Sequence, residues 1–498
     1  MSPKKKAPKK KAKPQPARAT PRESSKPSPS AEPASATGNR RLMILLPVLL
    51  LVCVATIWLR FAYNEGGGVF AADARVFFLG PDEYYMNRGA YLQDEQGATV
   101  ADTVLLPEIP ASIDDGSQPS DGGYVGPDAC AECHQEKHST FVHTSHAKTS
   151  AFPSRETILG KIAAEPDGEI AEENMLKTQS PNLRVEMIER DGQILQRLVV
   201  NTATETVGSE FPFDVVTGSG KIGQTYLYFE NEHLYQLHAS YLSSTDRWMN
   251  SPGYLDGAAD FARPILSACL ECHTTYAQPY AGSANQYHRE HMVLGVTCEK
   301  CHGPGKEHVT FHQANPNSKA PHAIVNPASM SAERSLELCQ LCHGGDPIVE
   351  KQPPFSYRPG KPLSDFYEYA QADGSKAVSG IHTNTQLPRL KRSKCFELSE
   401  SMTCLDCHNP HQFERGNMKL FSQRCLNCHE MPDCGKFESF GESLADNCID
   451  CHMQNLDMND IKLISGDTKF VPKMRDHFIT VWPEVSEAYE RELNKANP

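Results

Sequence analysis

Residues Cys298–His308 read CEKCHGPGKEH. A Cys-x-x-Cys pair suits a zinc knuckle, a redox dithiol or a covalent haem anchor, and a histidine directly after the second cysteine favours the last. Two thioethers then fix the porphyrin edge while the adjoining imidazole ligates iron from one face. The pentapeptide occurs seven times. The others are CAECH (Cys130, Cys133, His134), CLECH (Cys269, Cys272, His273), CQLCH (Cys339, Cys342, His343), CLDCH (Cys404, Cys407, His408), CLNCH (Cys425, Cys428, His429) and CIDCH (Cys448, Cys451, His452). The quoted stretch supplies Cys298, Cys301 and His302.

These motifs use 14 of the 17 cysteines. Zinc ribbons need paired knuckles and no histidine after each one, and thioredoxin-like dithiols come one per domain. The expectation is a multihaem cytochrome with seven covalently attached haem c groups. Of the remaining cysteines, Cys53 lies in an apolar run and reads as a small hydrophobe. Cys395 and Cys434 flank the fifth and sixth motifs, and a disulfide between them is left open.

Residues 1–41 carry 12 Lys/Arg against two acidic residues and read as a disordered basic tail. About 18 apolar residues follow, Leu42–Leu59, enough to span a bilayer as one N-terminal transmembrane helix over 42–60. The basic flank would set the N-terminus in the cytoplasm. That predicts a single-pass inner-membrane anchor with the bulk of the chain periplasmic or equivalently exported. A cleaved signal peptide is the alternative, although the run exceeds a typical h-region. The basic run also raises nucleic-acid binding, which the adjoining apolar run makes unnecessary. Beyond residue 41 there remain 37 Lys/Arg (49 less 12) against 60 Asp/Glu (62 less 2), a formal charge of −23. Such a surface serves solubility or docks a basic redox partner.

Residues 61–125 are rich in Gly, Asp and Pro and read as an extended linker. From 126 to 498 a heptahaem domain is expected, with about 53 residues per haem, so the haems themselves supply much of the interior. The predicted class is mainly α with large irregular content. A small antiparallel β insert is placed at about 165–245, within the motif-free gap between His134 and Cys269. There "LRVEMIERDGQILQRLVV" alternates around Asp191–Gly192, a hairpin signature. "TYLYFENEHLYQLHASYL" adds strand formers around a turn at Asn231–Glu232.

The occupant of each iron's sixth position separates a relay from a catalyst. Twenty histidines less seven leave 13 for seven positions, so bis-histidine ligation throughout is affordable. His308 and His411 lie too near their own motifs to wrap round the same haem, so each should reach a neighbour. His146, His382 and His477 stand isolated in polar sequence. His138, His143, His288, His291 and His322 compete for the last two positions, and His233 and His238 in the β insert read as structural. Met453 is too near its own motif.

The stretches VGPDACAECH…SHA, GSGKIGQTYLY…LYQLHASY, WMNSPGY, GVTCEKCHGPGKEH, IVNPA, HTNTQLPRLKRSKCFE and MTCLDCHNPH resemble exported multihaem c-type cytochromes. That group is related to the tetrahaem electron carrier of ammonia oxidisers and the multihaem hydroxylamine oxidoreductases. The resemblance covers roughly residues 124–480 and implies that His146, His308, His382, His411 and His477 are distal ligands. His238, His288 and His291 depart from its pattern, and there is no Cys-x-x-Cys-Lys motif.

The leading expectation is electron transfer between redox partners, with no nucleic acid involved. Two alternatives accompany it. One is an oxidoreductase for a small nitrogen or sulfur compound at a five-coordinate haem, with Tyr226, Tyr228, Tyr235 and Tyr241 as contributors. The other is a quinol dehydrogenase, supported by the anchor and opposed by the long linker.

Overall fold

The computed structural model describes residues 74–496 apart from 109–112, 114, 165–169, 346, 370–380 and 459–460. The basic tail, the apolar run 42–60 and Cys53 lie outside the described residues. Among the described residues no helix is long and apolar enough to cross a membrane. The single-pass inner-membrane placement is therefore corrected, and the quinol reading built on it goes no further.

The fold class is corrected as well. Of the described residues 30% are helical and 26% lie in strands, in many sheets, so the fold is not mainly α. Each haem motif needs only one helical turn, so seven motifs imply little helix. The motif-free gap meanwhile supplies long runs of Val, Ile, Leu, Tyr and Thr, which suit a pleated, half-buried surface.

Strand β1 (Arg75–Leu79) pairs in parallel with β2 (Thr103–Pro107), and helix α1 (Pro81–Leu92) connects them. Leu79, Tyr84, Leu92 and Leu105 are buried together beneath this unit. An extended linker was expected over this stretch; its apolar runs, short as they are, fold back onto the main body. Helix α2 (Pro127–Phe141) carries the first motif, with Pro127 in its first turn.

Ser150–Ala151 form β3 and Ala163–Ala164 form β4. Next come β5 (Met175–Lys177), β6 (Leu183–Arg190), β7 (Gln193–Asn201) and β8 (Thr206–Pro212), which with β4 make a five-stranded sheet. The β6–β7 register runs from Leu183↔Val200 to Arg190↔Gln193. Its two-residue turn has φ of 50° at Asp191 and 76° at Gly192, the pattern that matches strand twist in tight hairpins.

A six-stranded sheet holds β3, β9 (Val215–Thr217), β10 (Gly223–Glu230), β11 (His233–Gln236), β12 (Ala239–Leu242) and β13 (Arg247–Asn250). Asn231 and Glu232, at φ of 46° and 65°, turn β10 into β11. Strand β14 (Ala259–Asp260) crosses back to pair with β2, which ties residues 75–107 to the main body. The largest apolar core lies here: Val185, Met187, Leu198, Tyr226, Tyr228 and Trp248 are buried in one cluster. At roughly 1.5–3 kcal/mol per large buried apolar side chain, this module contributes a large share of the stability.

Beyond it the haem motifs ride on short helices: α3 (Ser267–His273), α4 (Cys298–His302) and, at the end of twelve residues, α6 (Ala332–His343). Strands β15 (Thr274–Pro279) and β16 (Tyr287–Leu294) join α3 to α4, and α5 (Lys306–Ala314) follows.

Candidate functional site

On a helix, positions i, i+3 and i+4 share one face, so the motifs carried on helices, the first four, present two sulfurs and an imidazole together. The histidine closes the helix in α3, α4 and α6. In α2 the chain leaves helical geometry at His134 itself, with φ −117° and ψ 40°.

The first four motifs open on one cavity of about 3090 Å³, which is also lined by His146, His308, His382, His408 and His411. Across it imidazoles stand opposed. Ring centroids are 6.4 Å apart for His134 and His308 and 6.2 Å for His146 and His343. They are 6.1 Å apart both for His302 and His411 and for His408 and His477. With metal–imidazole bonds of about 2.0 Å and a ring nitrogen roughly 1.1 Å from its centroid, two imidazoles on opposite faces of one metal have centroids about 6.2 Å apart. The spacing fits an iron between each pair. His382 lies close enough to His273 to interact with it electrostatically, and both line the cavity.

The second ring nitrogens are occupied. Nδ1 of His302 donates to Val325 O at 2.7 Å, and that of His343 to Thr383 O at 2.7 Å. Nδ1 of His308 donates to His322 O at 2.9 Å and that of His452 to Thr480 O at 3.0 Å. His382 Nδ1 lies 2.7 Å from Asn384 Oδ1. The four bonds to carbonyl oxygens fix ring orientation and leave Nε2 as the lone-pair nitrogen, whereas His382 Nδ1 also accepts from Asn384 N at 3.2 Å. Burial drives His146 and His477 down to about 4 and also lowers His273, His343, His408 and His411. These imidazoles are neutral near pH 7, the form that binds a metal.

Neighbouring motifs touch. Cys130 meets Cys298, Cys272 meets Cys342, and Cys339 meets Cys404, each pair in side-chain contact. Cys301 is next to Cys339 and Cys342, and Cys425 is next to Cys407 and Cys448. The motifs thus form a continuous series: first, third, fourth, fifth, sixth, seventh, with the second beside the fourth. Polar bonds fix the far end. Arg424 donates to Cys407 O at 2.7 Å, and Cys448 N donates to Ser422 Oγ at 2.8 Å. Glu271 and Glu299 hold the second and third motifs from within. Glu271 accepts from Phe355 N at 2.6 Å and from the Tyr367 hydroxyl.

Of the other eight histidines, His138 and His312 also line the cavity, and the remaining six do not. His138, four residues after His134, is 3.7 Å from Asp128, and its Nε2 is buried without a hydrogen-bond partner. His143 follows the end of α2. His233 bonds Asn231 O, and His238 Nδ1 accepts from Asp260 N at 3.0 Å. His288 sits 2.9 Å from Ser117 Oγ, and His291 is near Asp121. His312 packs on His308 and His322 on Phe311. None of these eight has a partner in the segment from 425 onward.

The tyrosines named as contributors belong to the core: Tyr226, Tyr228 and Tyr235 are fully buried, and Tyr228 donates to Phe261 O at 2.7 Å. Cys395 and Cys434 are not joined. Cys395 neighbours Cys428, whereas Cys434 neighbours Cys448 and Cys451. Sequence reasoning missed Arg389 and Asp476, a buried ion pair just before His477. Nothing local marks two residues 87 positions apart as partners.

Comparison with known proteins bears on the class. Residues 229–303 match the family model described as cytochrome c554 and c-prime. The chain is 26% identical over 149 residues to the multiheme cytochrome MtrA of Shewanella baltica, covering 28% of this chain and 43% of that one. It is 20% identical over 401 residues to the dissimilatory sulfite reductase MccA of Wolinella succinogenes, covering 66% of this chain and 50% of that one. The chain thus spans about half the length of the curated relatives it matches. Among solved structures, the outer cell wall cytochrome OcwA aligns with a TM-score of 0.45 at 18% identity, over 74% of this chain and 81% of that one. An undecaheme cytochrome from the S-layer of Carboxydothermus ferrireducens aligns with a TM-score of 0.34 at 16% identity, over 76% and 61%. The repeated motifs and the sequence matches make the chain similar to multihaem c-type cytochromes.

Proposed function

We propose that the chain is a heptahaem cytochrome that relays single electrons between redox partners. The observation that carries this reading is the set of opposed imidazoles. Each of the seven Cys-x-x-Cys pairs holds one haem, and His134, His273, His302, His343, His408, His429 and His452 are the proximal ligands. The distal ligands are His308 to the first haem, His382 to the second, His411 to the third, His146 to the fourth and His477 to the fifth. Haem iron, when bound, supplies a one-electron couple whose potential the protein tunes through ligands, burial and hydrogen bonds. Burial in the chain keeps six of these imidazoles (His146, His273, His343, His408, His411 and His477) neutral, and the paired rings close both faces of five irons to substrates. Contact between successive motifs supports a path running through the whole series. The finer kinship, with the carrier of ammonia oxidisers and the hydroxylamine oxidoreductases, rests on the sequence motifs alone.

Intact mass with a pyridine haemochrome assay counts the haems, and a spectroscopic redox titration follows them. Seven haems titrating over a range of potentials, and oxidised rapidly by a second cytochrome, are expected. Fewer haems, or haems that exchange no electrons with protein partners, would overturn the reading. A second reading is reduction of a small sulfur or nitrogen oxyanion, supported by the similarity to a protein named as a sulfite reductase.

A further inference from the structure

Four of the seven motif histidines face a second imidazole, His273 has His382 as an electrostatic neighbour, and the remaining two have neither. His429 and His452 are the exceptions, and the reason lies in where the histidines are. All 20 fall among the described residues. Twelve are motif histidines or their five partners, and among the described residues the other eight make no contact with the sixth and seventh motifs. The bonding at His452 is nevertheless that of a ligand: its Nδ1 donates to Thr480 O at 3.0 Å, as Nδ1 of His302 and His343 donate to carbonyls.

Other donors are poorly placed as well. Met431 and Met453 follow their own motif histidines by two residues and one, too close to pass round the haem edge. Lys436 and Lys419, amines near this segment, are held by Glu490 at 2.6 Å and by Asp446 at 2.9 Å. The sixth and seventh motifs also stand apart from the shared cavity, since none of their cysteines or histidines lines it. Cys428 and His429 are exposed to solvent.

We infer that the irons at His429 and His452 have no histidine on their second face and are where the chain accepts small exogenous ligands. Carbon monoxide on ferrous iron and azide on ferric iron are the probes. The two irons are adjacent, through Cys425 and Cys448, and they end the series. An electron arriving through the five closed irons therefore reaches a pair at which a small molecule could bind. The inference rests on the reading that all seven motifs carry haem.

The test uses the full chain with its haem count established by intact mass. Reduced protein is titrated with carbon monoxide, and the oxidised protein is examined by low-temperature EPR. Two carbon monoxide molecules per chain and two high-spin ferric irons are expected. Cys425→Ser with Cys428→Ser, which removes the sixth haem, should lower the number to one. Cys448→Ser with Cys451→Ser serves the seventh motif in the same way should the first variant not fold. His477→Ala, which opens the fifth iron, should raise the number to three and shows that the assay counts. Seven haems with no carbon monoxide bound would overturn this inference while leaving the electron-transfer reading intact. Two bound molecules that persist when the sixth haem is deleted would place the open irons elsewhere and overturn it too. A chain lacking haem at the last two motifs overturns both.

Discussion

Glu299 sits between the cysteines of the third motif, yet its carboxylate serves the backbone. It accepts from Val125 N at 2.9 Å, Gly126 N at 2.8 Å and Gly305 N at 2.7 Å while only 2% exposed. One side chain thus pins the third motif to the start of the helix that carries the first. Glu299→Ala strands three buried donors, each costing about 1–3 kcal/mol. A loss of about 3 kcal/mol or more should appear as a lower thermal midpoint, and an unchanged midpoint would mean that those amides find other acceptors. His238 provides a pH-dependent counterpart. Burial lowers it to about 4, below the ordinary 6.5, so the folded state binds fewer protons than the unfolded one between those values. Stability from this group is complete above pH 6.5, declines as pH falls toward 4, and changes no further below that. Thermal melts from pH 7 to 4 should show this slope in the native chain and a reduced slope in His238→Gln.

At the scale of elements, His477, proposed as the fifth haem's distal ligand, depends on a helix far away in sequence. Arg389, in the helix Gln386–Leu390, pairs with both oxygens of Asp476, which is fully buried beside His477. Asp476 also accepts from Phe478 N at 2.9 Å, so the carboxylate shapes the turn that presents the imidazole. Arg389→Ala leaves an uncompensated buried charge, which costs about 3–5 kcal/mol. The expected signature is specific: His477 is released and one more iron becomes high-spin. Destabilisation without a change of spin state would show that the pair supports the fold but not the ligand. This pair also marks the limit of sequence reading. Local features were visible: strand alternation around Asp191–Gly192 and the turn at Asn231–Glu232. The balance of classes was not, because a motif count says nothing about helix length, and a core of Tyr226, Tyr228 and Trp248 needed only one long motif-free gap. Which imidazole meets which depends on tertiary packing; His134 and His308 are 174 positions apart in sequence and 6.4 Å apart in space.

For the whole molecule the decisive quantity is charge. Residues 42–498 carry a formal −23, from 37 basic and 60 acidic side chains, and propionates add to it. A potential of one sign steers oppositely charged partners and raises association rates by roughly 10- to 1000-fold at low salt, an advantage that ionic strength removes. Screening shortens the reach of these charges from about 30 Å at 0.01 M to about 10 Å at 0.1 M. Oxidation of the reduced protein by a small basic cytochrome should therefore slow at least about tenfold as salt rises over that range. An acidic oxidant should speed up instead, because salt then relieves repulsion. Stopped-flow measurement with both oxidants separates steering from a general salt effect on the haems, which would move both rates together. Rates with the basic oxidant that stay level across the range would show that the acidic surface serves solubility and takes no part in docking.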